Sequence, residues 1–159
     1  MEKYKIYTDG CALGNPGSAG FGIVVTKNSG IQKKYYKGYH LSTNNRMELL
    51  AVIFALELFK KKIYAEIYTD SNYVVSAIEK GWLNNWMKNN WIKSDGKPVK
   101  NQDLWIRFYK IYSNHIVKLV WIKGHSGHLE NEMCDKLANY AARLPYTEKL
   151  NDHGFSEDE

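Results

Sequence analysis

The tetrapeptide Ile-Tyr-Thr-Asp occurs twice in the chain, as Ile6-Tyr7-Thr8-Asp9 and as Ile67-Tyr68-Thr69-Asp70. Each copy reads as a short strand ending in a carboxylate. If the two strands lie side by side and parallel, Asp9 and Asp70 emerge at one sheet edge, where open α/β sheets bind ligands. Aspartate also ends strands for turn chemistry alone, so neither residue is informative by itself. Two more carboxylates stand in helical patterns. Glu48 lies one turn into an apolar helix beside Met47, Leu49 and Leu50; the helix dipole accounts for an acid there, but burial would demand a partner for it. Asp135, among Met133, Cys134 and Leu137, sits at the edge of an apolar face and alone reads as a solvated helix residue. If the four converged, each pair ~4 Å apart would repel by about 4 kcal/mol at an effective dielectric near 20. Such a group protonates or binds cations. Oxygen-only ligation suits Mg²⁺ or Mn²⁺, and two such ions can activate water and stabilise the leaving oxygen of a phosphodiester. Spacing alone does not bring the four together.

The elements that would position them follow from the pattern. Tyr4 to Thr8, Gly20 to Lys27 and Lys33 to His40 read as three strands of an antiparallel meander, with a loop over Cys11 to Ser18 and a turn at Asn28-Ser29-Gly30. Cap candidates Ser42 to Asn45 precede a helix from Arg46 to Lys61, so apolar that it should be nearly enclosed. Ala65 to Thr69 is a strand, Ser71 caps a helix that ends at Gly81, and Trp82 to Lys100 is rich in tryptophan, asparagine and lysine. A helix over Gln102 to Tyr112, a strand over Ile116 to Ile122, a polar loop over Lys123 to His128 and a helix over Glu130 to Leu144 complete the body. The order β-β-β-α-β-α-α-β-α predicts an α/β domain, a mixed sheet with helices on its faces. Residues 1–145 form the domain in this reading, and 146–159 form a polar, acidic tail, disordered from Asn151 to Glu159.

Composition sets the class. The 159 residues are 44% hydrophobic and 25% charged, which suits one globular domain and excludes wholesale disorder. Lys plus Arg total 22 against 17 acids, a net charge of +5 that favours a polyanionic partner. No apolar run suggests a signal peptide or a membrane span. Two cysteines, Cys11 and Cys134, are too few for a disulfide scaffold and point to a reducing, cytoplasmic setting. His125, His128 and Cys134 lack the paired spacing of a zinc site.

Five motifs carry a resemblance: Thr8-Asp9-Gly10-Cys11 with Gly14-Asn15-Pro16-Gly17, Thr43 through Glu48, Thr69-Asp70-Ser71, Lys123 through His128, and Asn131-Glu132 to Cys134-Asp135. In this order and at these spacings, over residues 3 to 145, the chain resembles the ribonuclease HI family of bacterial type. The resemblance implies a ribonuclease H-like fold with a mixed five-stranded sheet, and hydrolysis of the RNA strand of RNA–DNA hybrids to 3′-hydroxyl and 5′-phosphate ends by a two-metal-ion mechanism. It assigns Asp9, Glu48, Asp70 and Asp135 to Mg²⁺ (or Mn²⁺), and His125 to proton transfer or product release. Gly10, Cys11, Asn15, Asn44 and Asn45 match positions that contact the RNA strand, and amides suit 2′-hydroxyl recognition because each both donates and accepts. Thr43 and Asn101 match a phosphate pocket for the DNA strand. Asn72 stands where glutamine is expected, and Leu41 where some members carry arginine. The segment with Trp82, Trp86, Lys88, Trp91 and Lys93 resembles a basic protrusion that grips the DNA strand through phosphates.

The partner implied is a hybrid duplex, with no membrane and no obligate protein; a monomer is expected. The start near Met1 and the polar end favour a stand-alone chain over a polymerase-tethered domain. Two other readings compete: an integrase- or resolvase-like DNA enzyme of the same fold, and a hybrid-binding module without turnover. Four mutually repelling carboxylates would serve a pure binder poorly.

Overall fold

A computed structural model describes residues 1–28 and 30–156. Strands β1 (Lys3–Leu13), β2 (Gly17–Lys27) and β3 (Gly30–Ser42) form the antiparallel meander, and β4 (Tyr64–Thr69) and β5 (Ile116–Trp121) add in parallel. The sheet order is β3-β2-β1-β4-β5, a mixed five-stranded sheet. Ser29, in the expected turn between β2 and β3, lies outside the described residues. Helices α1 (Asn44–Glu57), α2 (Asn72–Glu79), α4 (Gln102–Tyr112) and α5 (Leu129–Ala142) follow the predicted order, and the tryptophan-rich stretch opens with a further helix, α3 (Trp82–Lys88), that the order did not include. Among the described residues no helix is long and apolar enough to cross a membrane.

The sheet separates two helical layers. Helix α5 packs on β1, β2 and β3, while α1 packs on β1 and β2 and is backed by α4. Thr43 caps α1, its hydroxyl oxygen accepting from the Arg46 N–H, and nine of the fourteen helical residues are buried. That enclosure is what the near-absence of a polar face predicts. The helix ends at Glu57 rather than Lys61, because the Phe59 N–H turns back to the Leu56 carbonyl.

Strand β1 departs from expectation. It runs past Asp9 to Leu13 because β2 stays paired alongside, with Asp9 opposite Gly22 and Cys11 opposite Gly20. The connection to β2 is therefore only residues 14–16. The repeated tetrapeptides lie in register, Ile6 beside Ile67 and Tyr7 beside Tyr68, and the β1–β4 pairing ends there. Asp9 and Asp70 thus sit at equal distance beyond the last paired residues of two adjacent parallel strands.

The disorder expected from Asn151 does not hold for residues up to Ser156. A 3-10 turn at Tyr146–Glu148 brings Leu150 beside β3, where its N–H donates to the Gly38 carbonyl and its carbonyl accepts from His40, both at 2.8 Å. The Asp152 carboxylate then accepts from Arg46 Nε at 2.7 Å, Arg46 Nη2 at 2.9 Å and the Ser42 hydroxyl at 2.6 Å. Arg46 is fully buried and also forms a two-pronged pair with Asp103 at 2.8 and 2.7 Å. In sequence Asp152 counts as one of several tail acids; in the fold it is the counter-ion of a buried guanidinium. Glu157, Asp158 and Glu159 lie outside the described residues.

Removing one partner of a buried ion pair strands the other, which costs about 3–5 kcal/mol when nothing else compensates. Arg46 keeps Asp103, so Asp152→Ala is expected at the lower end, about 3 kcal/mol. Thermal unfolding should fall by roughly 10 °C for a domain of this size. Burial would raise the Asp152 carboxyl, but the Arg46 and Ser42 hydrogen bonds outweigh it and hold it below its ordinary value. Its contribution is therefore complete above the ordinary carboxylate range and disappears as pH falls through the depressed value. A melting curve for Asp152→Ala that overlays the wild type at neutral pH would show that the C-terminal strap, residues 146–156, is not part of the fold.

Candidate active site

Three elements deliver three carboxylates to one point. Strand β1 supplies Asp9, β4 ends just before Asp70, and α1 supplies Glu48. The close approach of α1 to β1 depends on Gly10. A Cβ there would lie 2.6 Å from both the Glu48 nitrogen and the Met47 carbonyl carbon, so any larger residue would push the helix away. With glycine in place, one carboxylate oxygen from each of Asp9, Glu48 and Asp70 lies within 4.8 Å of the others.

The electrostatics follow from burial and crowding. Asp9 is 6% exposed, and its carboxyl is pushed up to about 7 by burial first and by the Asp70 charge second. Glu48 is raised well above the carboxylate range by burial, then by Asp9 and Asp70, and Asp70 is raised chiefly by burial. Glu48 Oε2 is buried without a hydrogen-bond partner, and among the described residues no lysine or arginine forms an ion pair with the three. An orphaned buried oxygen within an all-oxygen, uncompensated acidic group fits a hard divalent cation.

Asp135 stands outside the group of three. The Asn139 amide one turn along α5 donates to its carboxylate at 3.3 Å and to its carbonyl at 2.9 Å. It is still close enough for its charge to raise Asp9 and Asp70. His125 is exposed on the loop between β5 and α5, with a left-handed backbone (φ 57°), and its charge lowers Asp70. The loop thus brings an imidazole to the rim of the acidic group.

The residues assigned to an RNA strand gather beside it. Asn44 Oδ1 accepts from the Ala12 N–H at 2.6 Å, and Asn15 Oδ1 accepts from the Asn44 N–H at 3.0 Å, tying the β1–β2 turn to the start of α1. Cys11 is half-buried, and burial with the Asp9 charge pushes its thiol up to about 11, so it stays neutral near pH 7. Thr43, Asn45 and Asn101 share a cavity with Asn15. Asn72 is exposed as the first residue of α2, capped by Ser71.

The tryptophan-rich segment divides by depth. Trp86 packs on Trp105 of the core at 5.6 Å between ring centroids, whereas Trp82 is exposed beneath Lys80, whose ammonium lies 5.4 Å from its ring. Trp82, Trp86 and Lys93 line a cavity of about 460 Å³. Lys93 also pairs with Asp95 at 3.7 Å; Lys88 is exposed, and Trp91 is half-buried in a left-handed turn. The pairing of Arg46 with Asp103 and Asp152 is not legible in the motifs or the acidic tail that contain them. The one available signal was a charged residue, Arg46, opening a helix otherwise destined for the core.

The RNase H family model matches residues 1–143. A ribonuclease H of Desulforamulus reducens is 48% identical over 145 residues, 91% of each chain, and a ribonuclease HI of Pasteurella multocida is 46% identical over 155 residues, 98% of this chain and 97% of that one. Among solved structures, LC9-RNase H1, a type 1 RNase H with the type 2 active-site motif, has a TM-score of 0.79 at 29% identity, covering 89% of this chain and 72% of its own. LC11-RNase H1 in complex with RNA/DNA hybrid has a TM-score of 0.66 at 26% identity, covering 87% and 96%.

A carboxyl raised on folding makes the folded state bind more protons than the unfolded chain, so stability is lost as pH rises from the ordinary carboxylate range through the raised value. A tenfold difference in proton affinity between the two states corresponds to about 1.4 kcal/mol. Metal-free protein should therefore melt several degrees lower at pH 8 than at pH 5.5. Asp70→Asn should raise the metal-free melting temperature at pH 8, and a divalent cation such as Mg²⁺ should raise the wild type's melting temperature more than that of Asp70→Asn. Melting temperatures that are independent of both pH and Mg²⁺ would contradict the crowded-carboxylate geometry.

Proposed function

The chain belongs to the ribonuclease H family, and from that premise we propose that it hydrolyses the RNA strand of RNA–DNA hybrids at the carboxylate group. The observation that carries this reading is the convergence of Asp9, Glu48 and Asp70 within 4.8 Å, with no lysine or arginine paired to them among the described residues. These three, with Asp135 from α5, would hold two Mg²⁺ ions, with Mn²⁺ as a substitute. Bound there, the ions supply the charge that activates a water and stabilises the leaving oxygen.

The chain's own residues do the rest. Glu48 and Asp9, raised by burial, give up protons as the site fills and so couple loading to pH. In the overall reaction water oxygen bonds to phosphorus and the bond from phosphorus to the 3′ oxygen breaks. The departing oxygen takes a proton, leaving a 3′-hydroxyl and a 5′-phosphate. His125, exposed at the rim of the acidic group, would carry that proton or help the product leave.

Discrimination rests on the asparagines. Asn15, Asn44 and Asn45 would meet the 2′-hydroxyls in the minor groove of an A-like duplex, and Gly10 and Cys11 would offer backbone beside them. Asn72 is shorter than glutamine, so its contact is reached through water or is weaker. The face of Trp82, Trp86, Lys88, Trp91 and Lys93 would hold the DNA strand by its phosphates. The solved complex of LC11-RNase H1 with a hybrid supports this partner. A monomer acting in the cytoplasm fits the reading.

The test incubates purified protein with end-labelled hybrid, duplex RNA and duplex DNA, with Mg²⁺ or with chelator. Metal-dependent cuts confined to the RNA strand of the hybrid are expected, and Asp70→Asn should lose roughly 100-fold or more of the rate while remaining folded. Cleavage of duplex DNA, or wild-type turnover by Asp70→Asn, would overturn the assignment.

A further inference from the structure

Beside the start of α1 a cavity of about 190 Å³ is lined by Asn15, Thr43, Asn45, Lys100, Asn101 and Phe155. Five of the six are amide, hydroxyl or ammonium side chains, and none is a carboxylate. Thr43 Oγ accepts from the Arg46 N–H, which leaves its own hydroxyl proton to be donated. Lys100 is exposed and so available to an incoming anion. Asn101 is fixed in place: its Oδ1 accepts from Arg46 at 3.2 Å and its Nδ2 donates to the Tyr73 hydroxyl at 3.0 Å. The sixth wall, Phe155, is the only apolar one, and it comes from the far end of the chain.

The path of the strap explains its arrival. Asp152 is held by Arg46 and Ser42, and the Phe155 N–H donates to the Asp152 carbonyl at 3.1 Å, so the backbone turns sharply just after the ion pair. Gly154 crosses directly over the other pair of the same guanidinium, Arg46–Asp103. A Cβ there would fall 1.8 Å from Asp103 Oδ2 and 2.8 Å from Arg46 Nη2, so a larger residue would have to displace the Asp103 carboxylate from the guanidinium. One buried guanidinium therefore sets both the position of Asn101 and, through Asp152, the position of Phe155.

Resting on the hybrid-binding reading above, we propose that Phe155 is a substrate-contacting residue, its ring packing against a sugar of the DNA strand whose adjoining phosphate is taken by Thr43 and Asn101, with Lys100 beside them. A donor-rich cavity with one aromatic wall matches the two chemistries of a nucleotide backbone, an anion next to an apolar ring face. Phe155 is half-buried, so part of its surface remains for such a contact. The contact is independent of sequence and adds affinity without touching the reacting atoms. Asp152 and Arg46 act on it as positioning residues.

Phe155→Ala, Phe155→Tyr and Lys100→Ala are compared with the wild type for melting temperature, for kcat and KM on an RNA–DNA hybrid with Mg²⁺, and for hybrid Kd in chelator across a salt series. Phe155→Ala should raise KM and Kd about fivefold with kcat at saturation and melting temperature near wild type, and Phe155→Tyr should restore both. Because the lost contact is apolar, the salt slope of Kd should be unchanged in Phe155→Ala and shallower by about one phosphate in Lys100→Ala. Wild-type KM and Kd in Phe155→Ala would overturn the proposal. So would a loss that tracks a lowered melting temperature and falls on kcat, since that marks a mere anchor for the strap. Failure of the hybrid reading itself is distinguishable, because the wild type would then neither cut nor bind the hybrid.

Discussion

Repulsion among Asp9, Glu48 and Asp70 is the constraint around which this domain is built. Three carboxylates with oxygens inside 4.8 Å oppose folding, and the oxygen of Glu48 left without a partner adds to that cost. The molecule supports the arrangement by rigidity. Asp9 and Asp70 extend from two central, adjacent strands whose register is fixed by the buried pair Ile6 and Ile67. Glu48 rides on a helix with most of its surface enclosed, pressed onto β1 where Gly10 leaves room. None of the three can retreat without moving the core.

Helix α1 carries the opposite problem two residues earlier. Arg46 is as deeply buried as any apolar side chain, yet it is saturated by Asp103 and Asp152. Residues two apart on a helix point in well-separated directions. The guanidinium accordingly faces α4 and the C-terminal strap while Glu48 faces the sheet edge. One end of one helix thus holds a satisfied buried cation and an acid with one buried oxygen left unpartnered. The first locks the surrounding residues, and the second leaves an electrostatic demand for ions from solution. Stability and reactivity are separated within a single turn.

Much of this could be read from the residues before any coordinates. The repeated Ile-Tyr-Thr-Asp did mark two parallel neighbours, because alternation of a buried isoleucine with a half-exposed tyrosine is a strand pattern and identical strands tend to share an environment. The enclosed character of α1 followed from its lack of a polar face. Other features were illegible for definite reasons. The extension of β1 past Asp9 depends on hydrogen bonds from β2, which no local signal announces. Asp135 lies on a helix face whose rotation is set by packing on β1, β2 and β3, so its distance from the other acids is a tertiary fact. Asp152 looked like a solvated charge because its partner is 106 residues away in sequence.

The most direct measurement of the central claim is a calorimetric titration of the protein with Mg²⁺ at pH 6.5, repeated in buffers of different ionisation enthalpy so that released protons are counted. Carboxyls raised by burial and mutual repulsion must lose their protons when a cation takes their place, so binding should release about one proton or more per protein and should weaken as the pH is lowered. Binding with no proton release, or no binding at millimolar Mg²⁺, would contradict the picture of crowded acids awaiting ions.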